Sequence, residues 1–334
     1  MKILYIPVAK KLNEKNFNNY LKCFVYDIKV IINNFLPNRK ITKNTNGYIE
    51  SAIHSNAYVF ELPYNYCLFF SSILNLIFDA IFINWKFTND RNDKNIDSKL
   101  IRISKKFKKK RVIVDSSDLS NHQINREVLE NFDYVIKREK NKSISDKKYL
   151  TTMLPLVLID YKVSKNNETI NWDKIGKSKP NDKFKFDIFF SGTPNNQQRR
   201  EILEYLNSKN LNFFGQLKKM PLNEYLNAIY DSSINLAIPG TGGAEFTFRH
   251  LEILSCCSFL MCHNEINKLE LPMPIKDGEH FVTFENKEDL LEKVKFYLEN
   301  KDLRKRIALN GRQVLEKYYS PKNHGNEILK KIFS

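Results

Sequence analysis

The sequence predicts an α/β fold built on two parallel sheets, and three observations carry that prediction. Short apolar runs alternate with longer segments that are apolar at helical spacing, from the first residues to about Glu299. The alternation breaks once, over the polar stretch Lys162–Lys185. In the second half, the run Ile234–Ile238 leads into Pro239, Gly240, Thr241, Gly242 and Gly243. A helical segment follows, then a second apolar run at Ser258–Cys262. A strand, a Gly-rich loop and a helix N-terminus in one βαβ unit let ligand atoms approach the backbone and offer free N–H groups to an anion.

Taken in order, Met1–Val8 reads as a first buried strand and Tyr20–Phe35 as a helix stopped by Pro37. Ala57–Phe60 is a short strand, Tyr66–Ile77 a helix and Ala80–Trp85 a strand. A basic helix is expected to end in the run Lys105–Arg111 and to feed the strand Val112–Val114, which opens onto Asp115-Ser116-Ser117-Asp118. A helix at Gln123–Glu130 and a strand at Tyr134–Ile136 complete the first half. The second alternation runs through a strand at Phe186–Phe190, a helix bearing Arg199 and Arg200, a strand at Leu211–Phe214 and a helix at Leu222–Tyr230. After the glycine loop come a strand at Phe281–Phe284 and helices at Lys287–Glu299, Asp302–Tyr318 and Asn326–Phe333. Two Rossmann-like domains follow, residues 1–165 and 166–320, with residues 321–334 as a separate C-terminal helix. Ligands of such sheets bind outside the carboxyl ends of the strands.

Composition narrows the function without fixing it. Hydrophobic residues make up 42% of the chain, enough for a sizeable core. The 54 Lys and Arg against 38 Asp and Glu give a net charge of +16, which suits an anionic partner. A sequence saturated with Lys, Asn and Ile also carries such an excess for compositional reasons alone. Five cysteines in apolar contexts, with no Cys-x-x-Cys pair, read as buried thiols of a reducing compartment. The most apolar run, Cys67–Phe78, is shorter than the roughly 20 residues of a membrane span. A cytoplasmic protein is expected, with peripheral contact at the inner face of a membrane as an option.

Glu245, Arg249 and Glu252 are spaced i, i+4, i+7 and fall on one face of the helix expected after the glycine loop. An internal Glu–Arg–Glu ion network explains such a stripe, and so does a ligand carrying phosphate and hydroxyls. The adjacent glycines favour the ligand. In the first half, Asp115 and Asp118 stand at the carboxyl end of a strand, where a carboxylate serves as general base or as a helix N-cap; His122 is a further candidate base. His250 points off the charged stripe and reads as a packed histidine. Trp85 reads as core, and Lys108, Lys109 and Lys110 as the centre of an anion-binding run.

The second half resembles the C-terminal domain of GT-B glycosyltransferases, in particular the CgeB-like branch related to group 1 transferases. The resemblance rests on Phe190-Ser191-Gly192-Thr193-Pro194 followed by Arg199-Arg200, on Arg249-His250-Leu251-Glu252 before Cys256-Cys257-Ser258-Phe259-Leu260, and on Asp277-Gly278-Glu279-His280-Phe281 with the later Asn310-Gly311-Arg312. It implies a GT-B fold, two Rossmann-like domains facing a central cleft, with the last helix crossing back to the first domain. It implies a nucleotide-sugar donor, with Glu252 on the ribose hydroxyls and Arg249 and the loop Gly240, Thr241, Gly242, Gly243 on the diphosphate. Gly192 and Thr193 would line the donor site, and Glu245 would face the sugar. No Asp-x-Asp occurs in the chain, so no metal or other cofactor is expected. The expected acceptor is a glycan or another, anionic, polymer. A nucleic-acid-modifying glucosyltransferase and a non-catalytic nucleic-acid-binding protein are the alternatives.

Overall fold

The computed structural model describes residues 1–7, 17–35, 53, 56–85, 95–115, 120–151, 180, 183–240, 245–271, 273–318 and 321–334. The chain forms two compact units, Met1–Pro155 with Pro321–Ser334, and Leu156–Ser320. The boundary expected at residue 165 lies outside the described residues.

The first unit holds six parallel strands: β1 (Lys2–Ile6), β2 (Tyr58–Glu61), β3 (Ala80–Asn84), β4 (Lys110–Asp115), β5 (Tyr134–Lys137) and β6 (Tyr149–Thr151). Their order is β2-β1-β3-β4-β5-β6. The helices are α1 (Phe17–Asn33), α2 (Tyr64–Phe69), α3 (Ser71–Ile77), α4 (Ile96–Ser104) and α5 (Arg126–Glu130). Strand alternation divides the core. Leu4, Ile6, Ile81, Ile83 and Ile113 pack with Cys67, Leu74, Leu100, Ile103 and Val128 on one face. Ile3, Tyr5, Phe82, Val112 and Val114 pack on the other face with Ile328, Leu329 and Ile332 of the last helix, Pro321–Phe333. Covered on both faces, the central strands need the near-continuous apolar runs seen in the sequence.

Two local expectations are corrected here. The apolar run is not one helix, because Phe70 (φ −94°, ψ 14°) separates α2 from α3. The break leaves Cys67 and Leu74 both facing the core. The basic run is not helical either. Helix α4 stops at Ser104, Lys105–Lys109 form a turn around the buried Phe107, and Lys110 and Arg111 open β4 in register with Ala80 and Ile81.

The second unit has five parallel strands: β7 (Phe186–Ser191), β8 (Phe213–Gln216), β9 (Ser232–Ala237), β10 (Leu260–His263) and β11 (Val282–Phe284), ordered β11-β10-β9-β7-β8. Helices α6 (Gln197–Asn207), α7 (Leu222–Tyr230), α8 (Phe248–Ser255), α9 (Lys287–Glu299) and α10 (Lys301–Tyr318) connect or follow them. The chain steps from β7 outward to β8, then returns to place β9 on the other side of β7. The strand order therefore reverses between β7 and β9, and the turns leaving their carboxyl ends flank the position where such sheets bind ligands.

Candidate functional site

Both turns at that reversal are held by one side chain. Asn196 caps α6 by accepting from Gln198 N–H at 2.8 Å. Its amide donates to Pro239 O at 3.1 Å and Gly240 O at 2.8 Å, which ties the turn after β7 to the turn after β9. Arg199, one helical turn along α6 and 5% exposed, donates from Nη1 to Thr193 O at 3.0 Å and to Asn195 Oδ1 at 2.8 Å, and from Nη2 to Ile238 O at 3.0 Å. Gly240 N–H donates to Glu245 Oε2 at 3.2 Å, so the buried carboxylate closes the base of the loop.

Helix α8 starts later than the charge spacing suggests. Thr247 is its N-cap, and Thr247 N–H donates to His250 Nδ1 at 3.1 Å in a reciprocal cap. Glu245 therefore precedes the helix, and the expected three-residue stripe is corrected to Arg249 and Glu252 alone. His250 is buried, as its position off the stripe suggests, and its ring nitrogen works as a cap.

Arg249 donates from Nη2 to Ser191 O at 2.7 Å and lies 4.9 Å from the centre of the Phe190 ring. Arg199 lies 5.8 Å from the same ring. Two guanidiniums thus converge on the carboxyl end of β7. Burial, with the added charge of Arg249, lowers the Arg199 pKa to about 10, and Glu245 offsets only part of that. The Arg249 Nε is buried without a hydrogen-bond partner among the described residues. Glu252, beside Arg249 and the Tyr225 hydroxyl, has its pKa raised by burial against the pull of those two neighbours. Arg199 and Arg249 thus stand beside two carboxyls, Glu245 and Glu252, and the cluster keeps one unused donor, the Arg249 Nε.

The glycines admit close approach. A Cβ on Gly192 would stand 2.9 Å from the Phe190 ring and 3.0 Å from Arg249 Nη2. One on Gly240 would stand 3.3 Å from Glu245 Oε2. Thr241, Gly242 and Gly243 lie outside the described residues.

In the first unit, Asp115 ends β4 fully buried. It accepts from Lys137 Nζ at 2.5 Å and lies 3.0 Å from His122 Nδ1, and Lys137 also donates to His122 O at 3.0 Å. Burial raises the Asp115 pKa, but the His122 hydrogen bond and the Lys137 ammonium outweigh it and hold the group at about 2. His122 is about a quarter exposed, and its ring lies 4.7 Å from that of Trp85. Asp118 lies outside the described residues. Lys108, Lys109 and Lys110 sit at the amino end of β4, opposite Asp115. Over a six-residue strand that separation is about 17 Å.

Sequence reasoning noted Arg199 only as a family mark and passed over Asn196, Tyr225 and Lys137. No local spacing points to them, because their partners lie in other elements. Among the described residues no group of three or more His, Cys, Asp or Glu could hold a metal ion.

Residues 197–330 match the family described as glycosyl transferase-like. No curated protein sequence matches the chain. Among solved structures, the chain is similar to a glycosyltransferase from Rickettsia africae, at 12% identity and TM-score 0.55, covering 99% of this chain and 97% of that one. It is similar to an α-glucosyltransferase in complex with UDP and a 13-mer DNA containing a central A:G mismatch, at 11% identity, TM-score 0.54 and 100% and 98% coverage. It is also similar to Anabaena HepE in complex with UDP and glucose, at 10% identity, TM-score 0.50 and 99% of each chain. At these identities the likeness establishes the fold, which is GT-B. The family match covers less than half of the chain and falls mainly in the second unit.

Proposed function

We propose that the protein transfers a sugar from a nucleotide-sugar donor to a glycan or another anionic polymer, without a metal. The observation that carries the donor assignment is the pair Arg199 and Arg249 at the reversal between β7 and β9, with one buried guanidinium nitrogen unused. A departing diphosphate needs its charge stabilised, and preorganised guanidiniums and backbone N–H groups do that in place of a metal. Arg249 offers Nε to the diphosphate, Gly192 and Gly240 let it approach the backbone, and Glu252 accepts the ribose hydroxyls. Hydroxyls donated to Glu252 favour its ionised form and so counter the effect of burial. Glu245 holds the Gly240 turn and faces Arg199, a positioning role. Because similar folds are known with UDP, a uridine nucleotide is the first donor to test.

On the acceptor side, a group held at about pKa 2 is a weak base at neutral pH. Asp115 instead orients His122, and we assign the partly exposed His122 ring to take the proton of a sugar hydroxyl. The donor assignment is tested by Arg249→Ala and Glu252→Gln. Each loses a charge-assisted contact worth about 2–4 kcal/mol, so nucleoside diphosphate affinity falls roughly 30- to 1000-fold by calorimetry while melting stays close to wild type. Normal nucleotide binding in both variants, or failure of both to fold, rejects the assignment.

A further inference from the structure

Helices α2 and α3 turn Cys67, Ser71 and Leu74 inward. Outward they present Phe69, Phe70, Ile73, Leu76 and Ile77, with Phe69 83% and Leu76 87% exposed. Five large apolar side chains within nine residues are far more than a solvated helix face needs. The ridge is joined to the basic turn by Asn75, whose amide donates to Lys106 O at 2.7 Å and whose Oδ1 accepts from Lys108 N–H at 3.0 Å. Lys105, Lys106, Lys108 and Lys109 are exposed beside it. Of the nearby carboxylates, Asp79 accepts from Lys2 N–H and Asp133 faces Arg111.

We propose that this ridge and the basic turn together form a docking surface for an anionic lipid bilayer. Apolar side chains of this kind enter the boundary between headgroups and acyl chains, and adjacent lysines meet the anionic headgroups. An acidic polymer has no use for the five apolar groups, and a second copy of the chain has no use for the lysines. No helix among the described residues is long and apolar enough to cross a membrane, so the contact is interfacial. The surface lies at the amino end of β4, which leaves the Asp115 end of that strand free. The inference does not depend on sugar transfer.

The test is flotation of the full chain with vesicles of phosphatidylcholine alone and with phosphatidylglycerol added. Wild type should float with the anionic vesicles and remain largely free of the neutral ones, with binding that weakens as salt rises. Substituting Lys106, Lys108 and Lys109 by Glu should lower partition by roughly fivefold or more per site. Substituting Ile73 and Leu76 by Glu should lower it at least tenfold. Both sets lie on the surface, so melting and nucleoside diphosphate affinity should be unchanged. Failure of wild type to float with anionic vesicles overturns the proposal. So does equal flotation of the Ile73 and Leu76 variant. Two further results count against it: a lipid-free dimer that this variant dissolves, and salt-sensitive binding to duplex DNA without binding to vesicles.

Discussion

Each unit buries a cluster of charge at the carboxyl ends of its strands, and the two clusters are finished differently. In the first unit Asp115, Lys137 and His122 satisfy one another through contacts of 2.5 to 3.0 Å. In the second, Arg199 and Arg249 share the Phe190 ring, one guanidinium nitrogen is buried without a partner among the described residues, and burial raises the pKa of the neighbouring Glu252. The first cluster is matched within the fold, whereas the second keeps a buried donor that no described residue uses. The same difference separates stability from binding: breaking the Asp115–Lys137 pair should destabilise the fold, and breaking the second cluster should weaken nucleotide binding.

The largest effect is expected from Lys137→Met, which strands the Asp115 carboxylate in a site where the pair is 2% and 0% exposed. Urea denaturation should show a loss of about 3–5 kcal/mol, against about 1 kcal/mol for Arg249→Ala, which is only half-buried and gives up one hydrogen bond to Ser191 O. Equal losses would erase the contrast between the clusters.

Acid titration sharpens the same contrast. Asp115 lies at about 2 in the fold against an ordinary 3.8, so its contribution is present above about 3.8 and is lost as pH falls from there toward 2. The shift corresponds to about 2 kcal/mol. Wild type should lose that increment across this window, and Asp115→Asn should not. A parallel decline in both would assign the acid sensitivity elsewhere.

The smallest effect is expected at Gly192. An added methyl would press on Phe190 and Arg249 Nη2, a displacement of about 1–2 kcal/mol and roughly tenfold in nucleotide affinity by calorimetry. Unchanged affinity would show that Arg249 can yield without cost and that its present position is not the binding one.

Much of this was legible in the chain because it is local. Apolar runs at strand length and at helical spacing placed the alternation, and α7 and α9 fall on the expected residues, Leu222–Tyr230 and Lys287–Glu299. Arg249 and Glu252 share a face because three residues make nearly one helical turn. Charge spacing could not show where α8 begins. The Thr247–His250 cap sets that start, and it moves Glu245 from the helix to the loop. Nor could composition locate the basic run, which a buried Phe107 turns out of the helix and into β4.

The sequence by itself determined the alternation, the glycine turns and the Arg249–Glu252 face, since each depends on residues a few positions apart. Only the tertiary structure decided that Asp115 is spent on Lys137, 22 residues away, and that Asn196 reaches Pro239 and Gly240, 43 and 44 residues away. It alone brought Arg199 and Arg249 to one ring. The first pairing follows from the register of β4 with β5, which sets Asp115 opposite Lys137. The others follow from strand order: the chain passes from β7 to β8 before returning to β9, and only the assembled sheet makes the ends of β7 and β9 neighbours.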